Sequence, residues 1–110
     1  MSSSVILSKE TVQSFALCDA GLLGILWEAD GRDLALRLLL DDGRLATLRC
    51  SWASEVRIDL SLPVGEGGSP LSWECRCEQR GSRWRIALDF ASRGLIELDC
   101  NEARLEYHAG

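Results

Sequence analysis

The chain is poor in the residues that usually carry chemistry: it holds one histidine, one methionine and one tyrosine, and Lys9 is its sole lysine. His108 lies two residues from the end of the sequence, where it is expected to be surface tail with no scaffold to hold it for proton transfer. No nucleophile elbow, phosphate-binding loop or placeable Cys-His or Ser-His pair occurs, so the expectation is a non-catalytic protein without cofactor or metal. No apolar run approaches the ~20 residues that span a bilayer, which argues against a membrane segment. The first residues lack the basic and apolar regions of a signal peptide, so the expected address is the cytoplasm. With only 2 prolines and 46% hydrophobic residues, disorder is disfavoured, and 110 residues fit one globular domain, 1–110.

Acidic residues dominate the charge. Asp plus Glu number 17 against 12 Lys plus Arg, a formal net charge of −5. Such a molecule repels nucleic acid and anionic lipid and favours a basic protein partner. The arginines are scattered at alternate positions, as on a solvated face. Five cysteines, an odd number, argue against a full disulfide framework and for reduced thiols.

The most informative stretch runs from Asp33 to Trp52. Leu34, Leu36, Leu38 and Leu40 alternate with Ala35, Arg37 and Leu39, the period of two expected of a strand. After Asp41-Asp42-Gly43 a second apolar series begins at Leu45. A two-residue Asp42-Gly43 turn would set Leu36 opposite Arg49. A three-residue loop instead pairs Leu38 with Ala46, Leu36 with Leu48 and Leu34 with Cys50, and it requires Gly43 at positive φ.

Other elements follow from the same reasoning. Val5 to Leu7 suggests a strand, and Ser8 could cap a short helix carrying Val12, Phe15 and Ala16. The apolar run from Leu22 to Glu28 ends in Asp30-Gly31 and should pair with the strand at Leu34. Two registers fit, one aligning Leu23, Ile25 and Trp27 with the inward leucines and the other Leu22, Gly24 and Leu26. Both faces of this strand are apolar, so the N-terminal segment or a subunit partner is expected to cover the second.

Beyond Trp52, a loop at Ala53-Ser54-Glu55 would bring Cys50 to Ile58 and Leu48 to Leu60. Residues 63–70, rich in Gly and Pro, form the expected mobile loop between two halves. An Arg80-Gly81 turn would then pair Cys77 with Trp84 and Cys75 with Ile86. A Ser92-Arg93-Gly94 loop would pair Phe90 with Ile96 and Leu88 with Leu98. A last strand is expected around Leu105 and Tyr107 before a frayed end.

The result is an all-β, mainly antiparallel meander of about seven or eight strands, forming a curved sheet, sandwich or flattened barrel, with at most one short N-terminal helix. Its expected core is Leu34, Leu36, Leu38, Leu48, Trp52, Ile58, Trp73, Trp84, Leu88, Phe90 and Leu98. Cys75 and Cys77 lack the Cys-x2-Cys spacing of a zinc knuckle and read as small core hydrophobes. Carboxylates near the loops are explained in part by turn chemistry.

The pattern Asp19-Ala20-x-Leu22-x-x-Ile25, then Leu34-x-Leu36-x-Leu38, Leu48-x-Cys50 and Val56-x-Ile58, resembles small bacterial all-β families that include immunity proteins of contact-dependent or polymorphic toxin systems. The resemblance implies a protein that binds and blocks a partner without chemistry of its own. The expected function is therefore an immunity-like interaction module holding a basic partner through Glu28, Asp30, Asp33, Asp41, Asp42 and Glu66. A small-molecule or lipid-binding β-barrel is the alternative, although bulky Trp and Leu should fill so small an interior. Edge strands and a second apolar face with Leu39, Leu45 and Trp27 make a homodimer a further expectation.

Overall fold

The computed structural model describes residues 3–15, 17–61 and 70–108. They contain nine strands: β1 (Ser3–Ile6), β2 (Gly21–Glu28), β3 (Asp33–Leu39), β4 (Leu45–Ser51), β5 (Ser54–Leu60), β6 (Glu74–Arg80), β7 (Arg83–Asp89), β8 (Gly94–Cys100) and β9 (Glu102–His108). One sheet has the order β1-β9-β4-β3-β2 and the other β5-β8-β7-β6, all pairs antiparallel. The protein is an all-β sandwich, and its helical content among the described residues is limited to short 3₁₀ turns such as Val12–Phe15.

The β3/β4 hairpin has the register that its side chains dictate. Leu34 faces Cys50, Leu36 faces Leu48 and Leu38 faces Ala46. The loop closes through Leu40 N–H to the Arg44 carbonyl (2.8 Å), with Gly43 at φ +88°. Asp42 accepts the Arg44 N–H at 3.0 Å, which is the turn chemistry expected of Asp.

The chain does not continue as a meander after β4. The expected pairing of Cys50 with Ile58 and Leu48 with Leu60 is replaced: β9 lies beside β4, and β5 joins the other sheet against β8. The reason is burial. A single sheet would leave its leucine face in water, whereas crossing over at Trp52 lets two apolar faces cover each other. Trp52 sits at φ +57°, Asp33 accepts its N–H at 3.3 Å, and Ala53 N–H donates to the Arg32 carbonyl at 2.9 Å.

The core lies between the sheets and holds Leu34, Leu36, Leu38, Leu48, Trp84, Leu88, Phe90 and Leu98, as expected, along with Ile86, Ile96 and Leu105. Three expected members are not in it. Trp52 is 55% exposed because it forms the crossover, and Ile58, opposite Ile96, is 41% exposed because β5 is an edge strand. Trp73 is 72% exposed because the segment before β6 turns the neighbouring Ser72 inward. The Ser72 hydroxyl donates to the Leu17 carbonyl and accepts the Ala20 N–H (3.0 Å), so a polar side chain fills the buried position by satisfying backbone groups.

Two later hairpins keep the expected faces but slip by two residues. Cys77 faces Ile86 and Cys75 faces Leu88, because the turn is Gly81-Ser82 and not Arg80-Gly81. Leu88 faces Ile96 and Ile86 faces Leu98, because Gly94 opens β8 and does not end the loop. The N-terminal strand exists, but β1 pairs with β9 and does not cover β2. His108 is likewise no loose tail: it is paired with Leu45 in β9, and its Nε2 lies 2.7 Å from the Thr47 hydroxyl. Residues 63–69 of the expected mobile loop lie outside the described residues, and Pro70 is buried.

Candidate interaction edge

A sandwich of two open sheets has four edges, here β1, β2, β5 and β6. Unpaired edge backbone invites another strand, and proteins usually guard it with charge, brevity or cover. β5 carries Glu55, Arg57 and Asp59, and β6 carries Glu74, Arg76, Glu78 and Arg80. β1 is only four residues long and starts with two serines. Those three edges are guarded.

β2 is different. It reads Gly-Leu-Leu-Gly-Ile-Leu-Trp-Glu and carries no charge before Glu28. Its first two residues are covered by the segment before β6: Leu22 N–H donates to the Pro70 carbonyl at 2.9 Å, and Gly21 bridges Leu71. None of the other described residues pairs with residues 23–28 on that side, which leaves ~20 Å of edge open among the described residues, at 3.4 Å per residue. Along it Leu23 is 47% exposed, Ile25 36%, Leu26 54% and Trp27 47%.

The pairing with β3 settles the register and the faces. Trp27 opposes Leu34 and Ile25 opposes Leu36, so both share the inward face and overhang the rim of the sandwich. Gly24 opposes Arg37, Leu26 opposes Ala35 and Glu28 opposes Asp33 on the outer face. A bulge between Leu22 and Gly24 then brings Leu22 opposite Leu38. Behind Gly24, a surface cleft is lined by Leu23, Arg37, Leu45, Thr47 and His108. Arg37 is exposed and makes no ion pair among the described residues.

The expected acidic partner surface is dispersed. Glu28 accepts Arg49 at 2.7 Å, and Arg49 also bonds Glu106. Asp33 is buried and accepts Nε and Nη2 of Arg32 at 2.9 and 3.0 Å, so it organises the crossover and is not exposed to a partner. The Arg32 hydrogen bonds hold its carboxyl below the usual aspartate range, with the Trp52 N–H helping and burial opposing. Asp42 pairs with Arg44 at 2.6 Å. Asp30 and Asp41 are exposed, but they occupy turns at opposite ends of β3, roughly 24 Å apart for a seven-residue strand. Glu66 lies outside the described residues.

Cys18 is exposed, Cys75 and Cys77 are half-buried, and the other two thiols lie inside. Cys50 and Cys100 are fully buried, on facing sheets, and the hydrogen bond between them together with burial pushes Cys50 well above the ordinary thiol range. Cys75 is pushed up by its hydrogen bond with Cys77 and by burial. Among the described residues no three His, Cys, Asp or Glu side chains gather within reach of one metal ion. No described helix is long and apolar enough to cross a membrane.

The sequence reading expected the N-terminal segment or a subunit partner over this strand because it is apolar on both faces, but not that the strand would form an edge of its sheet. It also missed Arg37, whose unpaired state depends on tertiary placement.

No protein-family model matches the chain, and no curated protein matches it by sequence. A solved structure described as an uncharacterized protein from Neisseria gonorrhoeae is similar to it, with a TM-score of 0.67 and 13% sequence identity, covering 96% of each chain. At that identity the likeness concerns the fold alone.

Proposed function

We propose that the chain is a non-catalytic protein-interaction module whose working surface is the open half of β2. The carrying observation is the contrast between this uncharged, apolar edge and the guarded β1, β5 and β6. An edge of this type accepts an extended strand by backbone hydrogen bonds, while exposed side chains on either face supply selectivity. Asp30, exposed in the turn just after this strand, would meet cationic side chains of a basic partner, as the net charge of −5 favours, and Glu28, already held by Arg49, would share its carboxylate with them. An immunity-like inhibitor is the specific form that the sequence resemblance implies.

The test is native mass spectrometry of the protein gently affinity-purified from its own host, as wild type and as Leu26→Arg, Asp30→Asn and Arg57→Ala variants. The expected result is a stoichiometric protein partner lost in Leu26→Arg, weakened in Asp30→Asn and retained in Arg57→Ala on the β5 edge. A partner retained by Leu26→Arg would refute the assignment of the surface.

A further inference from the structure

Resting on the reading of β2 as the interaction edge, we propose that its partner is β2 of a second copy of this chain, paired antiparallel about a two-fold axis through Leu26. Three features of the strand point to that occupant. The first is parity. In antiparallel pairing, opposed residues share a face, so a two-fold that joins inward face to inward face must pass through a residue and not between two. With the axis at Leu26, Ile25 meets the partner's Trp27 and Gly24 meets the partner's Glu28.

The second is charge. Gly24 lies between that Glu28 and Arg37 on the outer face, and the space where its side chain would be is open, with nothing within 4 Å. Arg37, exposed and unpaired among the described residues, can therefore reach across the glycine to the Glu28 carboxylate of the neighbouring copy, which Arg49 of that copy already holds at 2.7 Å and whose remaining lone pairs can accept a second guanidinium. The symmetry supplies this contact twice. An axis one pair away, through Ile25, would set Gly24 opposite the partner's Leu26 and leave Arg37 without a carboxylate.

The third is size. Leu23, Ile25, Leu26 and Trp27 are between 36% and 54% exposed, which amounts to on the order of 400 Å² of apolar surface per copy. Stable complexes bury about 800 Å² per partner, so the pairing belongs to the weak class, with a dissociation constant on the order of 10⁻⁵ M. Two copies, each of net charge −5, also repel at long range, which keeps the association weak at low salt. The ten-stranded sheet that results removes from water the edge that the described residues leave unguarded. A basic partner and a second copy would then compete for the same strand.

Sedimentation velocity from about 1 μM to about 1 mM tests the pairing. The wild type is expected to pass from monomer to dimer across that range. Leu26→Arg puts two guanidinium groups on the axis and is expected to stay monomeric at every concentration, with an unchanged circular dichroism spectrum because Leu26 is 54% exposed. Arg37→Ala, which adds no bulk, is expected to weaken the dimer about 3- to 10-fold. A wild type that stays monomeric overturns the self-pairing, and the copurification comparison then judges the β2 edge alone. A dimer that survives Leu26→Arg overturns the self-pairing as well, since its interface lies elsewhere, and the copurification comparison again judges the β2 edge alone.

Discussion

Replacing Gly94 by Ala should be among the most damaging single-methyl changes in this protein, and the structure says by how much. Gly94 opens β8 at φ 118° and ψ −153°, a region that only glycine occupies freely. A methyl built there runs into the Asp59 carbonyl oxygen and comes within 2.8 Å of the Asp59 carbonyl carbon and 3.0 Å of the Leu60 Cα. These are backbone atoms of β5, so no rotamer change relieves the contact. The dihedral alone costs about 1–3 kcal/mol. Moving β5 away at the Gly94 and Leu60 pair adds about 1 kcal/mol for each ladder hydrogen bond lost. The sum is about 3 kcal/mol or more, a large part of the ~5–15 kcal/mol that holds a small domain folded.

Gly43→Ala is the matched control. Gly43 also has positive φ, at +88°, but nothing lies within 4 Å of its added methyl. Only the dihedral penalty remains, about 1–2 kcal/mol. Urea unfolding of both variants measures the difference, and equal midpoints, or a Gly94→Ala midpoint within error of wild type, would refute the claim that β5 is held against Gly94.

Two further outcomes are expected. Asp33 has its pKa lowered, chiefly by the Arg32 hydrogen bonds, so its contribution is present above the ordinary aspartate value of 3.8 and is lost as pH falls through the lower folded value. Asp33→Asn should thus destabilise by roughly 1 kcal/mol at pH 7 and by less in acid, measured as urea midpoints at pH 7 and near pH 3. Of the four tryptophans, Trp27, Trp52 and Trp73 are exposed and Trp84 is buried, so acrylamide should quench most of the emission, and Trp84→Phe should remove the blue-shifted remainder. A mostly unquenched spectrum would return Trp52 and Trp73 to the core.

Part of this architecture is legible in the sequence because some rules are local. The β3/β4 register follows from one glycine that needs positive φ and from two apolar series that match in only one alignment. The β6/β7 and β7/β8 hairpins show the limit of the same method. A slip of two residues preserves alternation, so periodicity assigns Cys75, Ile86 and Leu98 to the right face and still misses their partners. The placement of β9 beside β4 is a pairing across more than fifty residues, with no local signature at either strand.

The candidate surface divides in the same way. The apolar faces of β2 are visible in Leu22 to Trp27, and among the described residues Leu23, Ile25, Leu26 and Trp27 stay exposed. The fate of the carboxylates was not visible. Whether Glu28, Asp33 or Asp42 is available to a partner depends on Arg49, Arg32 and Arg44, and only the first of these lies far away in sequence. Composition counts charges, and the fold decides which are already spoken for.

Hydrogen exchange of the β2 amides tests most directly whether residues 23–28 form an open, working edge. In dilute solution the alternate amides that point away from β3 should exchange far faster than those of β4, and they should become protected when the protein is concentrated or bound to its partner. Protection in the dilute monomer equal to that of β4, or protection on association that appears at β1, β5 or β6 while β2 stays unchanged, would contradict it.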